Sequence, residues 1–143
     1  MTLSEGEPFP VEHLPTPLSG PAVVYFYPRD MTRGCELEAL GFNTLYDRFR
    51  ELGLEVVGVS VDSEESHRAF AEQCGLRFPL VSDESRTLTN HVGLMKDYGE
   101  HGSMAARVTF LLDGDDVVRK VWTVTDVTAH PEEALEAAQE LVA

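Results

Sequence analysis

Two nearly continuous apolar runs, Ala22–Tyr27 and Glu55–Val61, flank a segment with the spacing of an amphipathic helix, Cys35–Leu52. Runs of β-branched and aromatic residues that do not alternate with polar ones are typical of strands buried on both faces of a sheet. Such strands need helices on both faces, so the pattern predicts a β-α-β unit with a parallel pair of central strands. This unit constrains the fold more than any other feature of the chain.

The second half of the chain continues the alternation. Asp62, with Glu65 three residues later, predicts a capping box for a helix that reaches Cys74 and ends at Gly75. The other expected elements are a short strand at Leu80–Val81, a short helix at Glu84–Val92, strands at Val108–Leu112 and Val117–Val124 joined by a turn at Asp113–Asp116, and a last helix that begins at Pro131 and buries Leu135, Ala138 and Val142.

The order β-α-β-α-β-β-α is typical of a thioredoxin-like fold. This is an α/β architecture whose central mixed sheet is flanked by helices, parallel on one side and antiparallel at the closing hairpin. With 143 residues the chain is long enough for one domain with one sizeable core. Residues 1–21 are rich in proline and show no sustained period, which predicts an irregular N-terminal arm. Residues 22–143 are the expected thioredoxin-like domain.

Charge and the N-terminal residues argue against several classes of function. The chain has 11 basic and 25 acidic residues and a net charge of −14, which would repel nucleic acid. Its first residues lack the basic and apolar segments of a signal peptide, and no apolar run has membrane-spanning length. We therefore expect a cytoplasmic monomer that binds neither nucleic acid nor a membrane. Two cysteines in a reducing compartment indicate transient redox chemistry rather than a structural disulfide.

Cys35 stands where the first strand has ended at Pro28 and a helix begins. Unpaired N–H groups and the positive end of the helix dipole stabilise a thiolate at such a position, so we expect a reactive cysteine. The alternative is a small buried residue, which is the usual role of a free cysteine. The polar neighbours of Cys35 favour the reactive role. The helix also has enough other apolar residues for its buried face, namely Leu37, Leu40, Leu45, Phe49 and Leu52.

The segment around Cys35 resembles that of a known family. Pro28-x-x-x-Thr32-x-x-Cys35, behind the strand residues 25–27, is similar to the peroxidatic-cysteine motif of the peroxiredoxins. The sequence of the whole segment, residues 25–35, resembles that of the bacterioferritin comigratory protein, or peroxiredoxin Q, subgroup. The resemblance runs from about residue 21 to the C-terminus, with further similarity at Phe70-Ala71, at Phe78–Asp83 and at Ala106–Asp113, where the family keeps an arginine at the start of a strand.

The resemblance implies a thiol peroxidase that reduces hydrogen peroxide and organic hydroperoxides through a sulfenic acid at Cys35. It implies that Arg107 activates the thiolate and stabilises the leaving oxygen, that the Thr32 hydroxyl hydrogen-bonds the peroxide, and that Pro28 shields the sulfur from water. Glu38 stands where many relatives use an acidic residue to orient the arginine. Position alone also allows plainer roles for the same four residues. These are an exposed arginine for Arg107, a helix N-cap for Thr32, the end of a strand for Pro28 and a solvated glutamate for Glu38.

Cys74 also has two interpretations. It shares a helix face with His67 and Phe70, so its thiol either packs in the core or takes part in the chemistry. Peroxiredoxin Q relatives often place a resolving cysteine five residues after the peroxidatic one, where this chain has Leu40, and a smaller set places it in the next helix. The resemblance thus implies that Cys74 resolves Cys35 by an intramolecular disulfide, which thioredoxin or a similar dithiol reductant reopens. The alternative is a 1-Cys peroxidase.

Other cysteine chemistries fit less well. A phosphatase loop needs an arginine six residues after its cysteine, where Gly41 stands, and Cys-x-x-Cys disulfide exchange needs a cysteine at the position of Glu38. The histidines are scattered without metal-ligand spacing, so we expect no metal and no other cofactor. A rival from another class is a peroxide sensor that keeps the reactive thiol and signals through a partner. The chain departs from the family at Arg33 and Glu36, where proline and threonine are usual.

Overall fold

The computed structural model describes residues 2–143, which form a central sheet with helices around it. The helices are α1 (Arg33–Thr44), α2 (Tyr46–Glu51), α3 (Glu64–Cys74), α4 (Thr87–His91) and α5 (His130–Val142), with 3-10 turns at Val11–His13 and Gly99–His101. The strands are β1 (Ala22–Phe26), β2 (Glu55–Ser60), β3 (Leu80–Ser82), β4 (Met95–Asp97), β5 (Ser103–Ala105), β6 (Val108–Leu112) and β7 (Val118–Thr123).

The main sheet has five strands in the order β3-β2-β1-β6-β7. β1 pairs with β2 in parallel and with β6 antiparallel, so that Val24 lies opposite Val57 on one side and Phe110 on the other. β3 extends the parallel half, and β7 closes the antiparallel half through the turn that follows Asp113. The expected thioredoxin-like arrangement, with a central mixed sheet flanked by helices, is therefore confirmed.

The apolar run of β1 is explained by burial on both faces of the sheet. Val23 and Tyr25 belong to one hydrophobic cluster, which the helices α1 and α5 share. Val24 and Phe26 point to the opposite face and belong to a second cluster. Because side chains alternate along a strand, a strand that is covered on both faces has no position left for polar residues.

The segment before β1 covers the second face of the sheet. Phe9 is buried there and packs edge-on against Phe110, with ring centroids 5.7 Å apart. The backbone N–H of Gly6 donates to the carbonyl of Val118, and the N–H of Val118 donates to the carbonyl of Glu7. These contacts fix the proline-rich segment along β7 although it has little regular structure of its own.

The helix expected at Cys35–Leu52 is two helices, and this part of the prediction is wrong. α1 ends at Thr44, and Leu45 adopts φ −94° and ψ 2° before α2 begins. The hydroxyl of Thr44 donates to the carbonyl of Leu40 at 2.9 Å. Such a side-chain bond competes with the helical ladder and is often found where helices bend.

Two details at helix ends also differ from the prediction. The N-cap of α3 is Ser63, whose Oγ accepts from the N–H of Ser66 at 3.1 Å, and not Asp62. The Asp62 carboxylate instead accepts from the backbone of Asp30 and from a serine of β2. In α5, Val142 is exposed and Leu141 packs against the core in its place. Gly75 ends α3 in the left-handed conformation, as expected.

The hairpin of β4 and β5 was not expected from the sequence. Each strand has three residues and carries lysine, aspartate or serine, so neither shows the apolar alternation that indicates a strand. The hairpin lies immediately before β6 and leads the chain into Arg107. Among residues 2–143, none of the helices combines the length and apolar composition needed to cross a bilayer.

Candidate active site

Cys35 lies at the start of α1, at the carboxyl end of the central strand β1. After Phe26 the chain makes one more sheet hydrogen bond, from the N–H of Tyr27 to the carbonyl of Val59, and then turns at Pro28. Arg33 begins the helix, so Cys35 stands in its first turn, where backbone N–H groups have no helical partner. Its side chain is only 1% exposed. The helix start therefore places a buried sulfur in a field that favours negative charge.

Arg107 approaches this sulfur from the residue just before β6. One guanidinium nitrogen donates to Cys35 Sγ at 3.3 Å, and the other donates to Glu38 Oε1 at 2.7 Å. Burial of the guanidinium lowers its pKa, but the facing charges of Cys35 and Glu38 raise it further, so the net pKa of Arg107 is raised. Gly34 leaves room for this approach, because a Cβ there would lie 3.2 Å from the guanidinium. The structure thus places Arg107 beside Cys35 and not in an exposed position.

Glu38 lies one turn after Cys35 on the buried side of α1, with 0% of its surface exposed. Burial raises the pKa of Glu38 to about 7, although the charge and hydrogen bond of Arg107 oppose this. Its second oxygen, Oε2, has no hydrogen-bond partner within residues 2–143. The interpretation of Glu38 as a solvated surface residue is therefore wrong, and the carboxylate instead fixes the direction of the arginine fork.

The expected buried face of α1 is also corrected. Cys35, Glu38, Ala39 and Phe42 point to the core, while Leu37 and Leu40 are only half-buried. Two polar groups occupy the core face because a non-local arginine pairs with both of them, and no apolar pattern within the helix indicates this. Cys35 is thus buried, as a packing residue would be, and it also has the polar partner expected of a reactive cysteine.

Thr32 occupies the N-cap position of α1 in an extended conformation, as expected. Its hydroxyl makes no cap hydrogen bond and instead donates to the carbonyl of Arg29 at 3.0 Å. The proton of Thr32 is therefore used within the loop, and its oxygen lone pairs are left as acceptors. Pro28 is half-buried at the end of β1. Between them, Met31 has φ 67°, an uncommon conformation for a residue other than glycine.

Cys74 is the last residue of α3 and is half-buried against the core. Its pKa is raised, first by burial and then by the negative charges of Glu36 and Asp30. His67 and Phe70 on the same helix face are buried, as the spacing predicts. Both Cys35 and Cys74 are free thiols in this structure.

Three residues around the site were not predicted from the sequence. Tyr98, in the connection between β4 and β5, donates its hydroxyl to the carbonyl of Ala105 at 3.1 Å. Its pKa is raised, first by burial, while the facing Arg107 lowers it and Cys35 raises it. Asp30, in the loop before α1, and His67 form a buried pair with 2.7 Å between Oδ2 and Nδ1. The one available signal was a histidine on an otherwise apolar helix face.

Comparison with known proteins agrees with this geometry. A model of the AhpC/TSA family matches residues 3–121. The putative peroxiredoxin bcp of Coxiella burnetii is 34% identical in an alignment of 148 positions that covers 94% of this chain and 98% of that protein. The chloroplastic peroxiredoxin Q of Sedum lineare is 41% identical over 122 residues and 85% of this chain, but the chain spans only 64% of its length.

Solved structures give the same result. PrxQ of Xylella fastidiosa, as a cysteine-to-serine mutant, matches with a TM-score of 0.87 and 30% identity over 98% of both chains. The bacterioferritin comigratory protein of Xanthomonas campestris, described for its alkyl peroxide reduction activity, matches with a TM-score of 0.81 and 34% identity. That match covers 88% of this chain and 82% of the other.

The chain belongs to the AhpC/TSA family of peroxiredoxins. Relatives named peroxiredoxin Q and Bcp are 34–41% identical to it, so the resemblance noted in the sequence is confirmed. The thiol peroxidase class expected from the motifs agrees with these relatives.

Proposed function

We propose that this protein reduces hydrogen peroxide and organic hydroperoxides through Cys35. The observation that carries the proposal is the arginine fork that joins the Cys35 sulfur to the buried Glu38 carboxylate. A fixed cation beside a thiol at a helix start is the arrangement that keeps a thiolate ready for attack. The family match agrees with this chemistry.

In the first step the Cys35 thiolate attacks the terminal oxygen of the peroxide, and the O–O bond breaks. The sulfur is oxidised to a sulfenic acid, and the leaving alkoxide or hydroxide takes up a proton to become an alcohol or water. Negative charge moves from the sulfur to the leaving oxygen during this step. Arg107 is close enough to the sulfur to stabilise charge at both positions, because its planar fork carries several donors.

Thr32 and Pro28 shape the space in front of the sulfur. Since the Thr32 proton is donated to Arg29, its oxygen is available to accept the peroxide O–H and to orient the O–O bond. Pro28 has no N–H and presents an apolar ring, which keeps water from the sulfur. Glu38 supports the reaction from behind by holding the guanidinium in place.

In the second step we propose that the Cys74 thiol attacks the sulfenic acid, releasing water and forming a disulfide with Cys35. A disulfide needs its two Cα atoms within about 7 Å. The two residues lie on different helices, so we expect the first turn of α1 or the last turn of α3 to unwind. Helix ends open at low free-energy cost. Thioredoxin or a similar dithiol then reduces the disulfide and returns both thiols.

Turnover tests this proposal against the peroxide sensor. With a dithiol reductant and thioredoxin present, an enzyme consumes many equivalents of hydroperoxide, and a sensor consumes about one. We expect wild-type protein to turn over and Cys35→Ser to consume no peroxide, with thermal unfolding of both proteins as the control for folding. Normal turnover by Cys35→Ser would exclude Cys35 as the reactive group.

We further infer a cytoplasmic monomer that binds neither nucleic acid nor a membrane. The net charge of −14 supports the absence of nucleic-acid binding. Sedimentation at micromolar concentration, before and after oxidation, measures the oligomeric state directly.

A further inference from the structure

Residues 27–32 form the loop that leads into the helix of Cys35, called the Cys35 loop below. One buried carboxylate in this loop is hydrogen-bonded to the start of α3. Asp30 is 4% exposed and accepts three hydrogen bonds: from the Tyr27 hydroxyl at 2.7 Å, from Ser66 Oγ at 2.8 Å, and from His67 Nδ1 at 2.7 Å. Its backbone N–H donates to Asp62 Oδ2 at 2.8 Å. The loop is therefore tied to both the end of β2 and the first turns of α3.

The hydrogen-bond pattern favours a charged His67. Its Nδ1 faces the Asp30 carboxylate at 2.7 Å, and its Nε2 faces the backbone carbonyl of Val81 at 3.1 Å. Both of these partners are acceptors only. The Ser60 hydroxyl is 3.4 Å from Nε2 and the Tyr27 hydroxyl is 3.4 Å from Nδ1, but they donate their protons to Asp62 and Asp30. Donation from both ring nitrogens therefore fits the contacts, and an imidazole that donates from both nitrogens is an imidazolium. A buried imidazolium beside a buried carboxylate forms an ion pair. If one partner is removed, little water is present to solvate the charge of the other.

The same loop contains a strained residue. Met31, directly after Asp30, has φ 67°, which a side chain other than glycine adopts only when its surroundings hold it there. The Met31 side chain is itself 45% exposed, so burial of that side chain does not account for this conformation. The restraint therefore comes from Asp30 on one side and the helix start at Thr32 on the other. Loss of the Asp30 bonds would let the loop relax and move Cys35.

We propose that Asp30 and His67 are positioning residues, a charged latch that holds the Cys35 loop in the conformation that attacks peroxide. The latch acts through the loop backbone and touches neither the sulfur nor the substrate. It also connects the loop before α1 to α3, the helix that ends at Cys74. As a statement about the reaction it rests on the proposed function, but the state of the latch itself is measurable without peroxide.

Charges on several elements face the latch. The cavity beside His67, about 640 Å³, is lined by the arm, α3 and the β3 segment. Charged or titratable groups around His67 are Asp30, Tyr27 and Asp62 at the ends of β1 and β2, Glu12 and His13 on the arm, Glu64 and Arg68 on α3, and Asp83 after β3. Asp30, Asp62 and His67 also bring ligand-type atoms within 4.8 Å of one another, but hydrogen bonds within the cluster occupy these atoms.

The latch has a defined pH range. Burial lowers the pKa of His67, but the hydrogen bond and charge of Asp30 outweigh burial, so the pKa is raised above its ordinary value. Burial likewise raises the pKa of Asp30, and its hydrogen bonds from His67, Tyr27 and Ser66 outweigh that and lower it. The latch is therefore complete between the ordinary pKa values of the two groups. It is lost as pH rises through the raised pKa of His67, or falls through the lowered pKa of Asp30.

Nuclear magnetic resonance of the reduced wild-type protein at pH 6, inside this range, tests the charged state. We expect both ring nitrogens of His67 to carry protons, and a neutral ring would overturn the proposal. Asp30→Asn is a mild variant, because an asparagine N–H can still donate to a neutral His67 while the charges are gone. In that variant the charge and the carboxylate hydrogen bond of Asp30 no longer oppose burial of the ring, so we expect His67 to be neutral at pH 6 and the amides of residues 29–34 to exchange with solvent more rapidly.

The rate of sulfenic acid formation at Cys35 tests the consequence. We expect Asp30→Asn and His67→Gln to react roughly ten to a hundred times more slowly than wild type, the scale of a small misplacement of a reacting group. The matched control is Glu65→Gln, which removes a charge from an exposed position of α3 that does not line the cavity beside His67 and should keep the wild-type rate and exchange. If both latch variants fold, keep their loop protection and react at the wild-type rate, the latch is excluded while the peroxidase stands. If wild type itself does not react with peroxide, the proposed function fails, and the exchange and resonance data still decide whether the latch exists.

Discussion

Replacing Arg107 by alanine is expected to slow the reaction of Cys35 with peroxide by about two orders of magnitude or more. The guanidinium nitrogen lies 3.3 Å from Cys35 Sγ. At that separation and an effective dielectric constant of about 20, a pair of unit charges interacts with about 5 kcal/mol before desolvation. The Arg107 side chain is 19% exposed, so desolvation and solvent offset part of this energy. A remainder of about 2.7 kcal/mol corresponds to the hundredfold loss that removal of one such donor typically causes.

Quenched-flow mass spectrometry of sulfenic acid at Cys35 measures this rate. Arg107→Lys keeps the charge but not the planar fork that reaches both the sulfur and Glu38, so we expect an intermediate rate. The variant Arg107→Ala also leaves a buried carboxylate without its partner. The matched control is therefore Arg107→Ala combined with Glu38→Gln, which should recover stability without recovering the rate. An Arg107→Ala rate within about threefold of wild type would refute the electrostatic role of Arg107.

Three further predictions follow from the same contacts. Because the pKa of Glu38 is raised from 4.5 to about 7, the folded protein retains a proton that the unfolded chain releases. The free energy of unfolding should therefore fall by up to about 3 kcal/mol as pH rises through this range. In urea titrations at several pH values, Glu38→Gln should lack this fall. Equal slopes of unfolding free energy against pH for the two proteins would contradict the prediction. Gly41→Ala would place a Cβ 2.7 Å from Pro131 Cγ and should destabilise the protein by about 1–3 kcal/mol. The control Gly114→Ala lies in open space and should melt at the wild-type temperature. Equal melting temperatures of both variants and wild type would show that α1 and α5 adjust freely. Cys74→Ser should accumulate sulfenic and then sulfinic acid at Cys35, and peptide maps in which wild-type Cys74 stays a free thiol throughout turnover would make the protein a 1-Cys peroxidase.

The sequence predicted the elements whose signal is local. β1 and β2 are recognisable because every residue from Ala22 to Phe26 is buried, which leaves an uninterrupted apolar run. The helix start at Cys35 follows from Pro28 and Thr32 in the preceding loop. The hairpin of β4 and β5 lacks such a signal, since each strand has only three residues and their polar residues do not alternate with apolar ones.

The parts of the site that no local pattern predicts depend on partners far away in the chain. Glu38 is buried only because Arg107, 69 residues later, pairs with it. Asp30 and His67 are separated by 37 residues, and neither has a local pattern that predicts a buried ion pair. The family resemblance placed Arg107 beside Cys35, which position alone did not. Propensity and periodicity describe single elements, so they do not show which polar groups meet across the sheet.

The most direct test of the account is to add one equivalent of hydrogen peroxide to the fully reduced protein, then measure its intact mass and count its free thiols. We predict that the peroxide is consumed, that Cys35 and Cys74 both disappear from the thiol count, and that the mass falls by two hydrogens, with a peptide that joins the two cysteines. Unconsumed peroxide with both thiols still titratable would contradict the central claim that Cys35 is the group that reduces peroxide.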